Sequence, residues 1–147
     1  MAEFQIEREE GDTARHYDKA AKGVSAYFAW LNRGKESIVL DLKGKDDLAL
    51  AERMIAKADV FVQNLALGAT VRLDIGSRDL VRRYPRLIAL DIVGYRQSTA
   101  AREKRAYDML VQAESGLCSV TGTPEEAVKV GVSVGDIGTG MNAHAAI

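Results

Sequence analysis

Short apolar runs alternate with stretches of mixed polarity along the first part of the chain. The runs cover residues 37–42, 60–62 and 87–93. Each is too short for a core helix and is rich in branched aliphatic residues, which is typical of strands buried on both faces. The pattern therefore predicts three buried strands, and Phe4–Glu7 is a candidate for a fourth.

Helical spacing fills the intervals between the runs. The first interval carries apolar residues three or four apart, namely Leu48, Ala51, Ile55 and Ala58. This is the stripe of an amphipathic helix, and residues 76–84 predict a shorter helix that ends before Pro85. Strands that alternate with helices indicate βαβ units. The predicted fold class is therefore α/β, with a mostly parallel sheet.

The remainder of the chain has a different pattern. Residues 107–117 are mixed apolar and predict a helix, with Met109, Leu110, Ala113 and Leu117 on one side. Residues 121–126 predict a loop, and a glycine-rich turn at residues 135–140 leads into an Ala-rich helix. The helix runs to the last residue without a capping signal, which suggests a piece of something longer.

Composition narrows the class of protein. The 147 residues are 47% hydrophobic and 28% charged, and 20 Lys and Arg oppose 21 Asp and Glu. The chain has no excess of basic residues that would indicate nucleic-acid binding. No apolar run reaches the length of about 20 residues that a membrane helix needs, and the N-terminus lacks the pattern of a signal peptide. The single cysteine, Cys118, suits a reducing compartment. We expect one cytoplasmic domain over residues 1–147, without metal, nucleic-acid or membrane partners.

Ligands of open parallel sheets bind beyond the carboxyl ends of the strands. Residues 63–68, 94–95 and 135–136 should meet there, bringing the Asn64 and Asp136 side chains to that edge. A carboxylate just before a helix N-terminus stays ionised, as a nucleophile requires. From the residues alone, structural caps at Asn64 and Asp136 remain the more economical interpretation.

Several blocks resemble the family III CoA-transferases, which include the carnitine and formate enzymes and the related α-methylacyl-CoA racemases. The matching blocks are residues 32–42, 58–64, 84–88, 106–113, 115–117, 121–122 and 131–136. They run in the family's order, with close to its spacing, and span nearly the whole chain. The resemblance implies a Rossmann-like, three-layer large domain, here incomplete and without the family's second, small domain.

The resemblance also implies a chemistry. Asp136 falls on the family's catalytic aspartate, which attacks an acyl-CoA thioester and passes CoA through an aspartyl thioester to an acceptor carboxylate. Asp108 falls on an assisting acidic position. The implied coenzyme A contacts are Asn64, Leu65, Ala69, Arg72, Arg105 and Arg8. The implied substrates are an acyl-CoA and a small carboxylic acid, with no metal.

One position separates the two activities of the family. Racemases carry a histidine before the acid of this motif, whereas Tyr107 stands here, and a tyrosine of ordinary pKa is a poor base at neutral pH. The transferase is therefore favoured.

The chain also departs from the family pattern. Residues 64–68 lack the family's usual aromatic residue and arginine, and the family's first strand and helix are not represented. We expect a truncated relative that associates as a homodimer or higher oligomer, because open sheet edges invite association. Whether the chain turns over substrate alone stays open, and the alternative is a non-catalytic module that binds CoA or a protein partner.

Overall fold

The computed structural model describes residues 2–96 and 98–147, so Met1 and Gln97 lie outside the described residues. The chain divides into two compact units, Met1–Ile55 and Ala56–Ile147. The first unit holds β1 (Phe4–Glu7), α1 (Ala26–Leu31), β2 (Glu36–Val39) and α2 (Lys45–Ile55). The second holds β3 (Val60–Gln63), α3 (Ala69–Arg72), α4 (Ser77–Arg83), β4 (Ile88–Asp91), α5 (Asp108–Glu114), α6 (Leu117–Thr121) and α7 (Val134–Ala146). Two short 3-10 helices, Thr13–His16 and Ala100–Glu103, complete the described elements.

The first unit is built on a parallel pair of strands. β1 lies beside β2 with Ile6 opposite Ile38, so the candidate strand Phe4–Glu7 is confirmed. Helix α2 supplies the buried residues Ala51 and Ile55 and ends at Ile55. Ala58, predicted on the same stripe, lies beyond the helix and is exposed.

The second unit repeats the arrangement. β3 pairs with β4 in parallel, with Val62 opposite Leu90, and α4 packs against β4. Leu80 on α4 is fully buried, as is Ile75 in the turn before this helix, and the helix ends before Pro85 as predicted. Both strand pairs are parallel, which confirms the α/β class.

The strands are less buried than the sequence predicts. Val39, Val62 and Ile88 expose 58%, 49% and 42% of their surface, which contradicts burial on both faces. The pairing register puts Val62 and Ile88 on the same face of the β3–β4 pair. The described residues therefore cover that face only in part, whereas branched aliphatic composition alone predicts full cover.

The predicted helix over residues 107–117 is two helices. α5 ends at Glu114, and Gly116 adopts a left-handed conformation with φ 80° before α6 begins at Leu117. Glycine reaches this conformation without the steric cost that a side chain adds, so it ends the helix. Met109 and Leu110, which were predicted to share one side of the helix, are 63% and 44% exposed.

Candidate active site

Two loops meet at the carboxyl ends of β3 and β4, as the sequence predicts. They line a groove of about 140 Å³. The lining residues are Asn64, Leu65, Ala66, Leu67, Ile92, Val93, Gly94, Tyr95, Arg102 and Lys104. One wall is therefore the loop predicted to hold a ligand, and the lining also includes two cations.

A three-residue network fixes one of these cations. The Lys104 ammonium lies 3.0 Å from Glu114 Oε1, and the Tyr95 hydroxyl donates to Oε2 of the same carboxylate at 2.6 Å. These hydrogen bonds lower the pKa of Glu114 and raise the pKa of Tyr95 and of Lys104. Lys104 thus stays protonated at the groove, where it can meet an anionic ligand.

The residues predicted to contact coenzyme A are only partly brought together. Asn64 and Leu65 line the groove, whereas Ala69 and Arg72 lie in the short helix α3 that follows it. Gly68, with φ 74°, occupies the N-cap position of α3, so the interpretation of Asn64 as the cap is wrong. The Arg72 side chain folds back over Gly68, with Nη1 3.2 Å from the point that a Cβ there would occupy.

Two predicted cations lie elsewhere. Arg105 is exposed and is not among the lining residues, which are instead Arg102 and Lys104 of the same run. Arg8 belongs to the first unit, where it is exposed and lies 3.7 Å from Glu10. Their predicted phosphate contacts stay predictions.

Asp136 lies inside a helix rather than before one. α7 begins at Val134 with Ser133 at its N-cap, so Asp136 occupies the first turn and its interpretation as a structural cap is wrong. Partial burial of its carboxyl, followed by the charge of Asp108, raises the pKa of Asp136 above its ordinary value. This direction is opposite to the predicted stabilisation of the ionised form, because a neighbouring carboxylate and lost hydration oppose the helix terminus.

Asp108 links the two helices that carry the acidic pair. Its Oδ1 accepts the backbone N–H of Gly135 at 2.8 Å, and its Oδ2 accepts the Gln112 side-chain amide at 2.6 Å. Asp108 opens α5, and Gly135 lies in the first turn of α7 immediately before Asp136. The two carboxylates predicted to act together are therefore neighbours, and one of them anchors the turn that carries the other.

Gln112 is the residue of this site that the sequence analysis missed. It is 1% exposed and donates to both Asp108 and the Val132 carbonyl. Polar residues on an amphipathic helix are ordinarily assigned to its solvent face. The spacing of four between Asp108 and Gln112, which puts both on one side of a helix, was the available signal.

A second groove, of about 580 Å³, separates the end of β4 from α7. Its lining consists of Leu90, Asp91, Ile92, Val93, Val134, Gly135, Gly138, Thr139, Asn142, Ala143 and Ala146. Gly135 thus reaches the carboxyl edge of β4, as predicted for this turn, whereas Asp136 is not part of the lining. Ile92 and Val93 line both grooves, so the three predicted segments converge on the same end of this strand.

Residues 2–96 and 98–147 hold neither a metal-binding cluster nor a membrane-spanning helix. No cluster of three or more His, Cys, Asp or Glu side chains there is arranged to hold a metal ion. Among the same residues, no helix combines the length and apolar character required to cross a membrane.

Comparison with known proteins identifies the fold family. A family model described as CoA-transferase family III matches residues 4–147. The acetyl-CoA:oxalate CoA-transferase of Acetobacter aceti is 41% identical over 115 residues, covering 78% of this chain and 30% of that protein. The succinate–glutarate CoA-transferase of Agrobacterium fabrum is 37% identical over 124 residues, covering 84% of this chain and 31% of that protein.

Solved structures agree with the sequence comparison. A CAIB/BAIF family protein from Brucella suis matches with a TM-score of 0.84 and 32% identity, over 90% of this chain and 37% of that one. A hypothetical protein from Mycobacterium tuberculosis matches with a TM-score of 0.86 and 26% identity, over 97% of this chain and 40% of that one. The fold is therefore an incomplete Rossmann-like α/β domain. The chain spans less than a third of the length of each of the two curated relatives. On the family match and these likenesses together, the chain belongs to CoA-transferase family III.

Proposed function

We propose that this chain carries the coenzyme A site and nucleophile of an acyl-CoA:carboxylate CoA-transferase, with Asp136 as the catalytic carboxylate and Asp108 as its assisting acid. The observation that carries the proposal is the acidic pair itself. Asp108 holds the backbone N–H of Gly135, and the next residue is an aspartate whose pKa is raised by partial burial and by Asp108. Perturbed acidic pairs of this kind are typical of functional sites.

The proposed reaction proceeds by exchange of acyl groups on Asp136. Its carboxylate attacks the thioester carbonyl of the donor, the C–S bond breaks, and a mixed anhydride and CoA thiolate form. The thiolate then attacks the Asp136 carbonyl, releasing the donor acid and leaving an aspartyl-CoA thioester. The acceptor carboxylate attacks this thioester, and the released thiolate takes the acceptor's acyl group, which regenerates Asp136. Covalent catalysis thus divides one difficult exchange into easier steps.

The raised pKa of Asp136 fits this role at neutral pH. A carboxylate with a pKa above the ordinary value near 3.8 is more basic and therefore more nucleophilic, provided that it is still ionised. The first turn of α7 supplies backbone N–H groups that can stabilise negative charge as the carbonyl is attacked. The fixed Asp108 carboxylate keeps that turn in place.

The groove at the ends of β3 and β4 is the proposed entrance for coenzyme A. Asn64 and Leu65 contribute to its lining, as do the cations Arg102 and Lys104. Coenzyme A carries a pyrophosphate and a further phosphate, which guanidinium and ammonium groups bind through charge-assisted hydrogen bonds. Ala69 and Arg72 follow the Asn64 loop in α3, and Arg105 and Arg8 remain proposed phosphate contacts by resemblance.

The proposed substrates follow the names of the relatives. One relative is named for acetyl-CoA and oxalate and the other for succinate and glutarate. We therefore assign an acyl-CoA and a small carboxylic acid as substrates and choose acetyl-CoA and succinyl-CoA as probes. Cytoplasmic localisation and homo-oligomeric association belong to the same proposal, and Cys118, which is not in a disulfide, suits a reducing compartment.

Calorimetric titration with coenzyme A tests the binding half of the proposal. We expect saturable binding that weakens at higher salt, because phosphate contacts dominate. Arg72→Ala should weaken binding about fivefold to thirtyfold, as expected for one charge-assisted contact of about 1–2 kcal/mol. Arg86→Ala is the matched control, since Arg86 is also exposed but lies just before β4, at the opposite end of this strand from the groove. Absence of binding would overturn the proposed coenzyme A site. It would favour the alternative that the chain is a non-catalytic module that binds a protein partner.

Trapping the acyl-enzyme tests the catalytic half. Incubation with acetyl-CoA or succinyl-CoA followed by hydroxylamine should convert Asp136 to a hydroxamate that mass spectrometry detects. Asp136→Asn should abolish this product without changing coenzyme A binding. Tight coenzyme A binding with no label on Asp136 would overturn the catalytic role and leave a non-catalytic CoA-binding module.

A further inference from the structure

Gln112 is a polar side chain in one of the most enclosed positions of the chain. It lies in the second turn of α5 and is 1% exposed. Burying an amide is costly unless its hydrogen-bonding groups are all satisfied. The hydrogen-bond partners of this side chain therefore decide what it contributes to the structure.

Both ends of this amide are hydrogen-bonded. Nε2 donates to Asp108 Oδ2 at 2.6 Å and to the Val132 carbonyl at 3.3 Å, and Oε1 accepts the Val130 backbone N–H at 2.8 Å. One side chain thus bridges the carboxylate at the start of α5 and the segment that leads into α7.

The bridge continues to the proposed nucleophile. Oδ1 of Asp108, which Gln112 does not contact, accepts the Gly135 N–H at 2.8 Å, and Asp136 follows Gly135 directly. Val132 lies two residues before the first residue of α7, so Gln112 restrains the approach to this helix as well as its first turn. Fixed supporting contacts of this kind hold a reacting group in its productive geometry.

We propose that Gln112 is a positioning residue for Asp136, acting through the Asp108 carboxylate and the backbone of residues 130–132. This inference rests on the proposed function for its catalytic meaning, since Gln112 itself touches no substrate. A role in packing alone requires only the volume of the side chain. The proposed role requires its N–H donor toward Asp108.

Gln112→Glu separates the two roles, because it keeps the shape and replaces the donor by a group that titrates. Burial at position 112 and the adjacent Asp108 carboxylate raise the pKa of a carboxyl introduced there above its ordinary value of about 4.3, so at pH 5 it is protonated and can donate to Asp108 as Nε2 does. When that carboxyl ionises, two carboxylates oppose each other at hydrogen-bond distance and repel. The charged groups around the position are Asp108 on α5, Asp136 on α7, and Lys129, whose ammonium donates to the Val130 carbonyl at 3.0 Å.

The first readout needs no substrate. The amide resonance and hydrogen-exchange rate of Gly135 are followed by NMR with ¹⁵N-glycine labelling, in wild type and in Q112E, between pH 5 and pH 8. We expect wild-type behaviour for Q112E at pH 5 and, at pH 8, a displaced Gly135 resonance with exchange at least about tenfold faster than in wild type. Ala113→Glu, at the exposed neighbouring position of α5, adds the same charge and is expected to leave Gly135 unchanged.

The exchanged pair Asp108→Asn with Gln112→Glu provides the rescue. The amide introduced at position 108 can donate to the carboxylate introduced at position 112, while its oxygen still accepts the Gly135 N–H. The double variant should therefore restore the slow hydrogen exchange of the Gly135 amide at pH 8, while its resonance reflects the neutral acceptor at position 108. If Q112E unfolds at that pH, the double variant decides alone. Restored slow exchange of the Gly135 amide supports the bridge, and exchange that stays fast overturns it.

The second readout is hydroxylamine-trapped labelling of Asp136, expressed as the ratio of variant to wild type at each pH. We expect this ratio for Q112E to fall at least about tenfold between pH 5 and pH 8. The double variant is judged by the Gly135 amide alone, because it also removes the assisting carboxylate of Asp108. A ratio that stays constant while Gly135 shifts overturns the positioning role. An unlabelled wild type overturns the proposed function instead, and the bridge is then judged by the Gly135 amide alone.

Discussion

Glu7 is a buried carboxylate whose oxygens accept hydrogen bonds from three residues of the first unit. Arg15 donates to it twice, at 2.9 and 2.7 Å, while the Ser37 hydroxyl and the Asp12 N–H add bonds at 2.7 and 2.9 Å. The hydrogen bond with Arg15, chiefly, lowers the pKa of Glu7 to about 2. The ionised carboxylate therefore stabilises the packing of β1 against the 3-10 helix and β2.

We expect Glu7→Gln to lower the free energy of unfolding by about 2 kcal/mol at pH 7, because charge-assisted bonds are lost. A depressed folded-state pKa gives a stabilisation that is complete above the ordinary value of 4.5 and is lost as the pH falls to about 2. The difference between variant and wild type should therefore shrink across that interval in urea titrations. Glu10→Gln, at a 77% exposed side chain, is the control and should change stability little. A constant difference down to about pH 2 would show that the charge of Glu7 is not what stabilises.

Gly135 is the point at which the backbone of α7 approaches Asp108 most closely. A Cβ at Gly135 would lie 3.1 Å from Asp108 Oδ1 and 3.6 Å from Val111 Cγ1. The first of these contacts is tighter than ordinary packing allows, so the Asp108 carboxylate or the first turn of the helix must move.

Gly135→Ala should therefore slow the trapped labelling of Asp136 by about tenfold or more, since small displacements of a positioned group are costly. Gly140→Ala is the matched control, because a Cβ there meets nothing within 4 Å and alanine is the better helix former. It should leave labelling unchanged and raise the free energy of unfolding by about 0.5–1 kcal/mol. Equal labelling of the two variants would contradict the importance of the Asp108–Gly135 contact.

At the scale of elements, α1 depends on a cap that the helical pattern does not reveal. Ser25 is fully buried, and its hydroxyl accepts the Phe28 N–H at 3.2 Å and donates to Asp18 Oδ2 at 3.0 Å. The backbone N–H groups of Ala26 and Ala20, chiefly, lower the pKa of Asp18 to about 2. A helix of six residues cannot persist on its propensity, so these contacts at its N-terminus hold it.

Ser25→Ala should lower the free energy of unfolding by about 1–2 kcal/mol, the usual cost of losing a cap. Urea titration followed by circular dichroism measures this change. Ser133→Ala is the control, because Ser133 is the N-cap of α7 but its side chain makes no capping hydrogen bond, and it should cost less than about 0.5 kcal/mol. Equal effects of the two substitutions would mean that the cap contributes nothing beyond its volume.

The elements also show where the sequence was sufficient. Apolar runs and helical spacing located α2, α4 and the four strands that the described residues form, because these signals depend on local periodicity. They failed at Gly116, where one residue of left-handed conformation divides a continuous apolar pattern, and at the start of α7. Three glycines, at positions 135, 138 and 140, make the first half of α7 resemble a turn in the sequence. Glycine has a low helix propensity, which tertiary contacts overcome here.

At the scale of the molecule, the arrangement of the site was only partly predictable. The convergence of loops at the ends of β3 and β4 follows from the topology of parallel strands, so that part of the groove was foreseen. The shift of the Asp136 pKa depends on Asp108, which is 28 residues away in the sequence, and the bridge through Gln112 depends on Val132, which is 20 residues away. Periodicity carries no information about such contacts.

The proposed association of the chain rests on large apolar side chains that are exposed. Within residues 2–96 and 98–147, each sheet has two strands, and Val39 and Val62 on them are about half exposed. A strand with one partner leaves backbone groups on its other edge that can pair with a second chain. We therefore expect the chain to sediment as a dimer or larger species at about 50 µM, in line with the association predicted from its sequence.

Val62→Lys places a charge on β3 and should shift this association toward monomer in sedimentation velocity experiments, because lysine on a strand edge disfavours pairing. Val120→Lys is the control. Val120 is 79% exposed but lies on α6, outside the strands, so its substitution should leave the distribution of species unchanged. If both variants dissociate equally, association depends on the exposure of apolar side chains in general and not on the strand edges. A wild type that is monomeric at every concentration would contradict the prediction and show that the strand edges are protected in solution.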